Sequence, residues 1–176
     1  MEVSISAVKR AVRDRARQLM EEHRKSACER LEKRADREQW EGRSLGAGIL
    51  YEKASAKFRK LGDKEKSLGM LLRAADNYEE YASVQERNAS GVPYFSVEAT
   101  CYLSEAMCGF AHAAYLVYTA GEPMLLRRAR TLLTRAKLNQ YELEKDSTCY
   151  TMLPGTFFRS DDALNQIHFL SSKLKG

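Results

Sequence analysis

The sequence has few residues that interrupt helices and no clear strand signal. Proline occurs three times and glycine ten times among 176 residues. No Asn-Gly or Asp-Gly pair joins alternating apolar segments, as a tight β-hairpin requires. Apolar residues instead recur every three or four positions, which is the spacing of an amphipathic helix. The sequence therefore predicts an all-α fold with about six helices.

Long hydrophobic runs are also missing. The longest apolar stretch, from Met107 to Gly121, is shorter than the ~20 residues of a membrane-spanning helix, and it contains His112. The first residues form no apolar core of a signal peptide. We therefore expect a soluble cytoplasmic protein with no membrane span.

Motifs that carry enzyme chemistry are absent from the sequence as well. It has no Glu-x-x-His pair for a di-iron site, and no histidine in HExxH or near a GxSxG serine. The glycines between residues 42 and 48 lack the lysine and hydroxyl residue of a phosphate-binding loop, so close helix packing explains them better. We expect no enzymatic activity and no cofactor.

The four cysteines form no CxxC pair, and we expect reduced, mostly buried thiols. The alternative is a metal site on one helix face, formed by Cys101, Glu105, Cys108 and His112. Four ligands spread over ~16 Å of one helix cannot surround a single ion, so a partial site also needs Cys149 or His168. Core packing is the favoured interpretation, and we expect no bound metal.

The net charge of +5 is unevenly spread, with a basic cluster near the start of the chain. We call this cluster the basic patch; it comprises Lys9, Arg10, Arg13, Arg15 and Arg17. Such a cluster attracts phosphate groups, which makes nucleic acid an alternative partner. No aromatic residue lies between residues 1 and 39, so no base-stacking platform adjoins the patch. A solvated helix face is the favoured interpretation.

Helical periodicity divides the chain into six predicted helices. The first carries a narrow apolar stripe, which suits packing on one neighbouring helix or a coiled-coil arm and includes Val8, Val12, Leu19, Leu31 and Ala35. The other five cover about residues 38–61, 64–87, 96–120, 123–145 and 160–173. We assign the chain to three regions: a basic amphipathic N-terminal helix (1–37), two helical hairpins (38–145), and a loop with a C-terminal capping helix (146–176).

Turn signals fix several of the predicted helix ends. Gly62 suits a C-terminal cap and Asp63 the N-cap of the following helix. Ser96 is the predicted N-cap of the fourth helix, and Gly121 is its predicted end. Residues 146–159 contain a Pro-Gly pair and are predicted to form a loop.

A pattern of small and large residues occurs twice, on either side of a glycine turn. The first helix of each pair has an aromatic, two small residues and a large one: Tyr51, Ala54, Ser55 and Phe58, then Phe110, Ala113, Ala114 and Val117. The second helix has small, large and small residues: Ser67, Leu71 and Ala74, then Ala129, Leu133 and Ala136. Small residues let two helices cross closely while larger ones fill the gaps. The pattern predicts two similar helical hairpins.

This pattern resembles the tetratricopeptide repeat over residues 47–82 and 106–141. It differs at the leucine position, which is Ala54 or Ala113, and its units lie about sixty residues apart rather than about thirty-four. The longer helices are similar to the helical-hairpin arrays of the soluble attachment-protein family, which adapts membrane-fusion complexes to their ATPase. The resemblance implies a right-handed array of stacked hairpins whose concave face binds a partner peptide or helix. Two helix pairs in an unrelated bundle are the alternative.

The function that follows is a non-catalytic adaptor or scaffold that binds another protein. The residues expected to face its groove are Glu52, Arg59, Lys60, Tyr102, Tyr115 and Tyr118. For the tyrosines, the alternative role is core filling. Two other functions stay open: a nucleic-acid binder that uses the basic patch, and a structural subunit whose N-terminal helix packs on a second copy in a homo-oligomer.

Overall fold

The computed structural model describes residues 5–94, 96–145 and 160–174 of the chain. These residues form six α-helices and one short 3-10 helix, and none of them lies in a strand. The predicted all-α fold with about six helices is confirmed. The helices are α1 (Ile5–Trp40), α2 (Ser44–Lys60), α3 (Lys64–Ser90), α4 (Val97–Thr119), α5 (Leu126–Lys145) and α6 (Ser160–Lys173), with the 3-10 turn Pro123–Leu125 before α5. The predicted loop at 146–159 lies outside the described residues.

Three predicted helix ends are confirmed by local geometry. Gly62 has a φ of +80°, a left-handed conformation that only glycine adopts without strain, and it reverses the chain after α2. The Asp63 carboxylate accepts a hydrogen bond from the Lys66 backbone N–H at 3.1 Å and caps α3. The Ser96 hydroxyl caps α4 by accepting from the Ala99 N–H at 3.0 Å. Each of the two N-cap side chains satisfies a backbone N–H that has no partner within its helix.

The predicted start of the second helix at Glu38 is wrong. Helix α1 continues through Trp40, so the expected boundary between residues 37 and 38 lies inside it. The chain turns at Gly42, which has a φ of +75°, and α2 begins only at Ser44. Gly42 is thus a turn residue rather than part of close helix packing, whereas Gly48 does pack closely, against the Tyr78 ring.

The helices pack mainly on their neighbours in the chain. Each of α2 to α5 packs on the preceding helix, and α6 packs on α4 and less extensively on α5. Side chains also join alternate helices. Arg73 of α3 reaches Asp36 of α1 at 3.2 Å, and Arg128 of α5 reaches Glu79 of α3 at 2.7 Å.

Small residues line the tightest of these contacts. A Cβ atom built on Gly109 of α4 would lie 2.8 Å from the Cβ of Ala82 in α3. Ala106, Ala113 and Ala114 of α4 are fully buried beside it. Because such residues have little side chain between the backbones, the α3 and α4 backbones approach closely over this stretch.

Helix α1 has two different halves. Residues 26–40 include the buried Cys28 and Ala35 and pack on α2, whereas residues 8–25 are exposed throughout. The expectation that the whole apolar stripe packs on one neighbour is wrong for Val8, Val12 and Leu19, which are 49%, 64% and 51% exposed. We call residues 8–25 the α1 arm; at 1.5 Å per residue it extends about 27 Å.

Candidate partner-binding surfaces

Glu52, the first residue predicted to face a groove, belongs to a polar network between helices. Its carboxylate accepts a hydrogen bond from the Tyr78 hydroxyl at 3.1 Å and lies 3.0 Å from His112 Nε2. The other ring nitrogen of His112 lies 3.1 Å from the side-chain amide of Gln166 in α6. His112, followed by the Tyr78 hydroxyl, holds the pKa of Glu52 below its usual range despite partial burial. Glu52 therefore helps to join α2, α3 and α4.

The tyrosines predicted on α4 are not all open to a partner. The Tyr115 and Tyr118 rings lie 6.2 Å and 5.8 Å from the Phe169 ring of α6, both in edge-to-face geometry. Tyr102 is half-buried. Helix α6 thus covers part of the aromatic surface that the sequence predicts to face a groove.

Arg59 and Lys60 are exposed at the end of α2, and Lys60 lines a cavity. The cavity has a volume of about 420 Å³ and lies between α1 and the C-terminal end of α2. We call it the basic notch; its lining residues are Arg24, Ala27, Cys28, Lys57, Lys60 and Leu61. Burial raises the pKa of the Cys28 thiol, which keeps this sulfur neutral at the base of the notch.

All five residues of the basic patch are exposed on the α1 arm. They are spread around the helix, because successive residues are turned by about 100°. Lys9 and Arg10 therefore point in different directions, and Arg15 and Arg17 lie on nearly opposite sides of the helix. Arg10, Arg13 and Arg17 do share a face, since their spacings are three and four residues. Arg24 of the basic notch follows on the same face, two turns after Arg17.

An arginine contact that the sequence analysis missed recurs in both helix pairs. The guanidinium of Arg73 in α3 lies 5.7 Å from the centre of the Tyr51 ring in α2, and that of Arg135 in α5 lies 3.9 Å from the Phe110 ring in α4. Each arginine also pairs with the helix that precedes its hairpin: Arg73 with Asp36 of α1, and Arg135 with Glu86 of α3 at 2.6 Å.

A buried asparagine accompanies each of these arginines. Asn77 donates to the Arg73 carbonyl at 2.9 Å, and Asn139 donates to the Arg135 carbonyl at 3.1 Å. The sequence signal is a repeated Arg-x3-Asn spacing, at residues 73–77 in one hairpin and at residues 135–139 in the other. In each case the arginine follows a leucine, Leu71 or Leu133, by two residues. The two helix pairs therefore share contacts as well as composition.

Three of the four residues considered as metal ligands have other surroundings. Glu105 accepts a hydrogen bond from the Tyr81 hydroxyl at 2.9 Å, and His112 lies against Glu52. Burial raises the pKa of the Cys108 thiol to about 12. Within residues 5–94, 96–145 and 160–174, no group of three or more ligand-type side chains is placed to hold a metal ion. Cys149 lies outside these ranges.

Comparisons of the chain with protein-family models, with curated proteins and with solved structures found no match. None of the described helices combines the length and apolar character that a membrane crossing needs.

Proposed function

We propose that the chain is a non-catalytic adaptor or scaffold, built as a tetratricopeptide-like array of helical hairpins, that binds another protein. The observation that carries the proposal is the recurring arginine contact, in which Arg73 and Arg135 each cover an aromatic ring of their own hairpin and pair with the preceding helix. Units that pack on one another through equivalent contacts are the basis of a solenoid, whose extended surface suits partner binding.

The ion pairs between alternate helices support the same arrangement. Arg73 and Arg128 join α3 to α1 and to α5, while the Glu52–His112 pair joins α2 to α4. An array of stacked hairpins requires such contacts between alternate helices, because these helices lie side by side in the same layer. A closed bundle requires α1 to pack on the last helices, and among the described residues no extensive contact joins α1 to α5 or α6.

The open end of this array is the favoured partner surface. Helix α6 already packs against Tyr115 and Tyr118, whereas Arg59, Lys60 and the α1 arm remain exposed. A surface that combines exposed charge with a concave apolar cavity is typical of binding sites. We therefore assign partner binding first to the α1–α2 end of the array.

Site-specific photo-crosslinking in cells tests the adaptor function. A photoreactive residue replaces one exposed residue at a time. The positions are Arg59 and Lys60 at the C-terminal end of α2, Trp40 at the C-terminal end of α1, and Lys137 on α5. An adaptor yields a discrete protein adduct at one or more of these positions, and the adduct disappears when the position is moved to another face. If no position gives a protein adduct, the chain is not an adaptor.

A second candidate function is nucleic-acid binding through the basic patch, because every residue of the patch is exposed. Phosphate contacts release counterions, so the affinity must fall steeply with salt. Filter binding at two salt concentrations tests this function, with Arg10, Arg13 and Arg17 replaced by glutamine as the comparison. The absence of binding at low salt eliminates it.

A further inference from the structure

The basic notch holds three cations around an apolar floor. Arg24, Lys57 and Lys60 form its rim, and Ala27, Cys28 and Leu61 form the rest of its lining. Among the described residues, none of these three cations forms an ion pair with a carboxylate. No carboxylate of the described residues therefore lies in direct contact with a cation of the rim.

A second cavity of similar volume shows that this is not a general property of the fold. It lies at the C-terminal end of α1 and is lined by Glu38, Arg43, Tyr81 and neighbouring residues. There Arg43 pairs with Glu38 at 2.5 Å and also with Glu41. Its charges are thus paired internally, whereas those of the basic notch are open to an external anion.

The notch is continuous with one face of the α1 arm. Arg10, Arg13, Arg17 and Arg24 share the face of α1 that also carries the buried Cys28. Helix α2 ends at Lys60, close to Arg24 in the notch, so α2 does not cover the face beyond it. Asp14 and Glu21 lie beside this row and moderate its charge. The result is a corner with a cationic arm along one side and an apolar cavity at its base.

We propose that this corner binds an acidic amphipathic segment of a partner protein, with one apolar side chain in the notch and carboxylates on its cationic rim. The assignment rests on the proposed adaptor function and names the chemistry of its partner. A cavity of about 420 Å³ has room for a leucine or phenylalanine side chain and adjoining backbone. Opposite charges at the rim then fix the orientation of the segment and speed its association.

The composition of the corner favours an acidic protein segment over a nucleic acid. Its floor is apolar, and phosphate groups gain nothing from Ala27 or Leu61. The α1 arm has no aromatic side chain on which a base can stack.

A peptide titration tests the proposal on the full chain. The probe is a short fluorescein-labelled peptide of glutamate and alanine with two leucines one helical turn apart, followed by anisotropy at about 0.1 M salt. The double variant Lys57→Glu, Lys60→Glu should weaken binding at least ~10-fold, because close charge pairs across an interface couple strongly. The matched control Arg130→Glu, Lys137→Glu makes the same change in net charge on the exposed face of α5 and should leave the affinity within ~2-fold.

A charge-neutral variant tests the cavity separately. Ala27→Phe fills the notch, so the leucine peptide should bind ~10-fold more weakly and no better than the same peptide with alanine in place of leucine. Circular dichroism confirms that the helices are retained. The proposal is overturned if the two double charge variants weaken binding of the leucine peptide equally. It is also overturned if the leucine peptide, the alanine peptide and a DNA duplex all bind the unchanged chain with equal affinity. The crosslinking experiment is independent: a protein adduct at Trp40 or Lys137 with none at Lys60 leaves the adaptor function standing and places the partner elsewhere.

Discussion

The guanidinium carbon of Arg135 lies 3.9 Å from the centre of the Phe110 ring. The Nη2 atom of Arg135 also lies 2.6 Å from a carboxylate oxygen of Glu86, so this one side chain joins α5 to both α4 and α3. A cation this close to a ring and partly shielded from water gains more than an exposed ion pair does. We therefore expect Arg135 to contribute more to the free energy of unfolding than an exposed ion pair does.

Replacement of Arg135 by alanine should lower the free energy of unfolding by about 2 kcal/mol, because the ring contact and the ion pair are lost together. Arg135→Lys should recover the charge but not the planar stacking, and should cost about 1 kcal/mol. Urea unfolding measures both values. Arg130→Ala, an exposed change on the same helix, serves as the control and should cost almost nothing. An equal loss for Arg130→Ala and Arg135→Ala would contradict the assigned role.

Gly109 should be intolerant of even one added methyl group. Its missing Cβ would lie 2.8 Å from Ala82 Cβ and 3.2 Å from the Tyr78 carbonyl oxygen. Gly109→Ala should therefore lower the free energy of unfolding by about 1–3 kcal/mol, since α3 and α4 must move apart. Gly69→Ala in α3 has no atom within 4 Å of the added carbon and should stabilise the chain by about 0.5–1 kcal/mol. Thermal unfolding should show a lower melting temperature for Gly109→Ala and a higher one for Gly69→Ala if the α3–α4 contact is as close as described.

Glu52 should make the free energy of unfolding depend on pH in the acidic range. Its pKa in the folded chain is lowered from the ordinary value of 4.5, chiefly by His112. Its contribution is therefore complete above that value and is lost as the pH falls through the lowered pKa, because the unfolded chain takes up the proton first. Glu52→Gln should lower the free energy of unfolding at neutral pH. The difference in this free energy between the variant and the unchanged chain should shrink on acidification.

Urea unfolding at about pH 7 and about pH 3 measures this difference. Glu80→Gln, an exposed position on α3, is the control and should leave the pH dependence unchanged. A constant difference between Glu52→Gln and the unchanged chain at both pH values would show that the Glu52–His112 pair contributes no pH dependence.

The helix ends that local chemistry decides could be predicted from the sequence. Asp63 and Ser96 act as N-caps because their side chains reach a backbone N–H three residues ahead, and no distant residue takes part. The α1–α2 turn could not be placed in the same way. Trp40 is 88% exposed and still helical, and the apolar stripe gives no sign of an interruption before Gly42.

The site was less predictable, because it depends on which helix faces which. Periodicity shows that Val8 and Leu19 share a stripe, but it does not show that α2 ends before it can cover them. Likewise, Lys60 could be assigned to an exposed face, whereas the notch it forms with Arg24 depends on how α1 and α2 are aligned. The Arg73 and Arg135 contacts did leave a signal, the repeated Arg-x3-Asn spacing, at equivalent places in the two hairpins.

The α1 arm should unfold without the rest of the chain. Most helical stability in proteins comes from packing of an apolar face, and the side chains of the arm are exposed along residues 8–25. Ala16→Pro should therefore reduce the helical circular-dichroism signal but leave the urea midpoint almost unchanged, because the lost turns contribute no packed surface. Ala35→Pro, at a fully buried position of the same helix, should lower the free energy of unfolding by about 3 kcal/mol or more. If Ala16→Pro lowers the midpoint as far as Ala35→Pro does, the arm packs on the body of the protein and is not available to a partner.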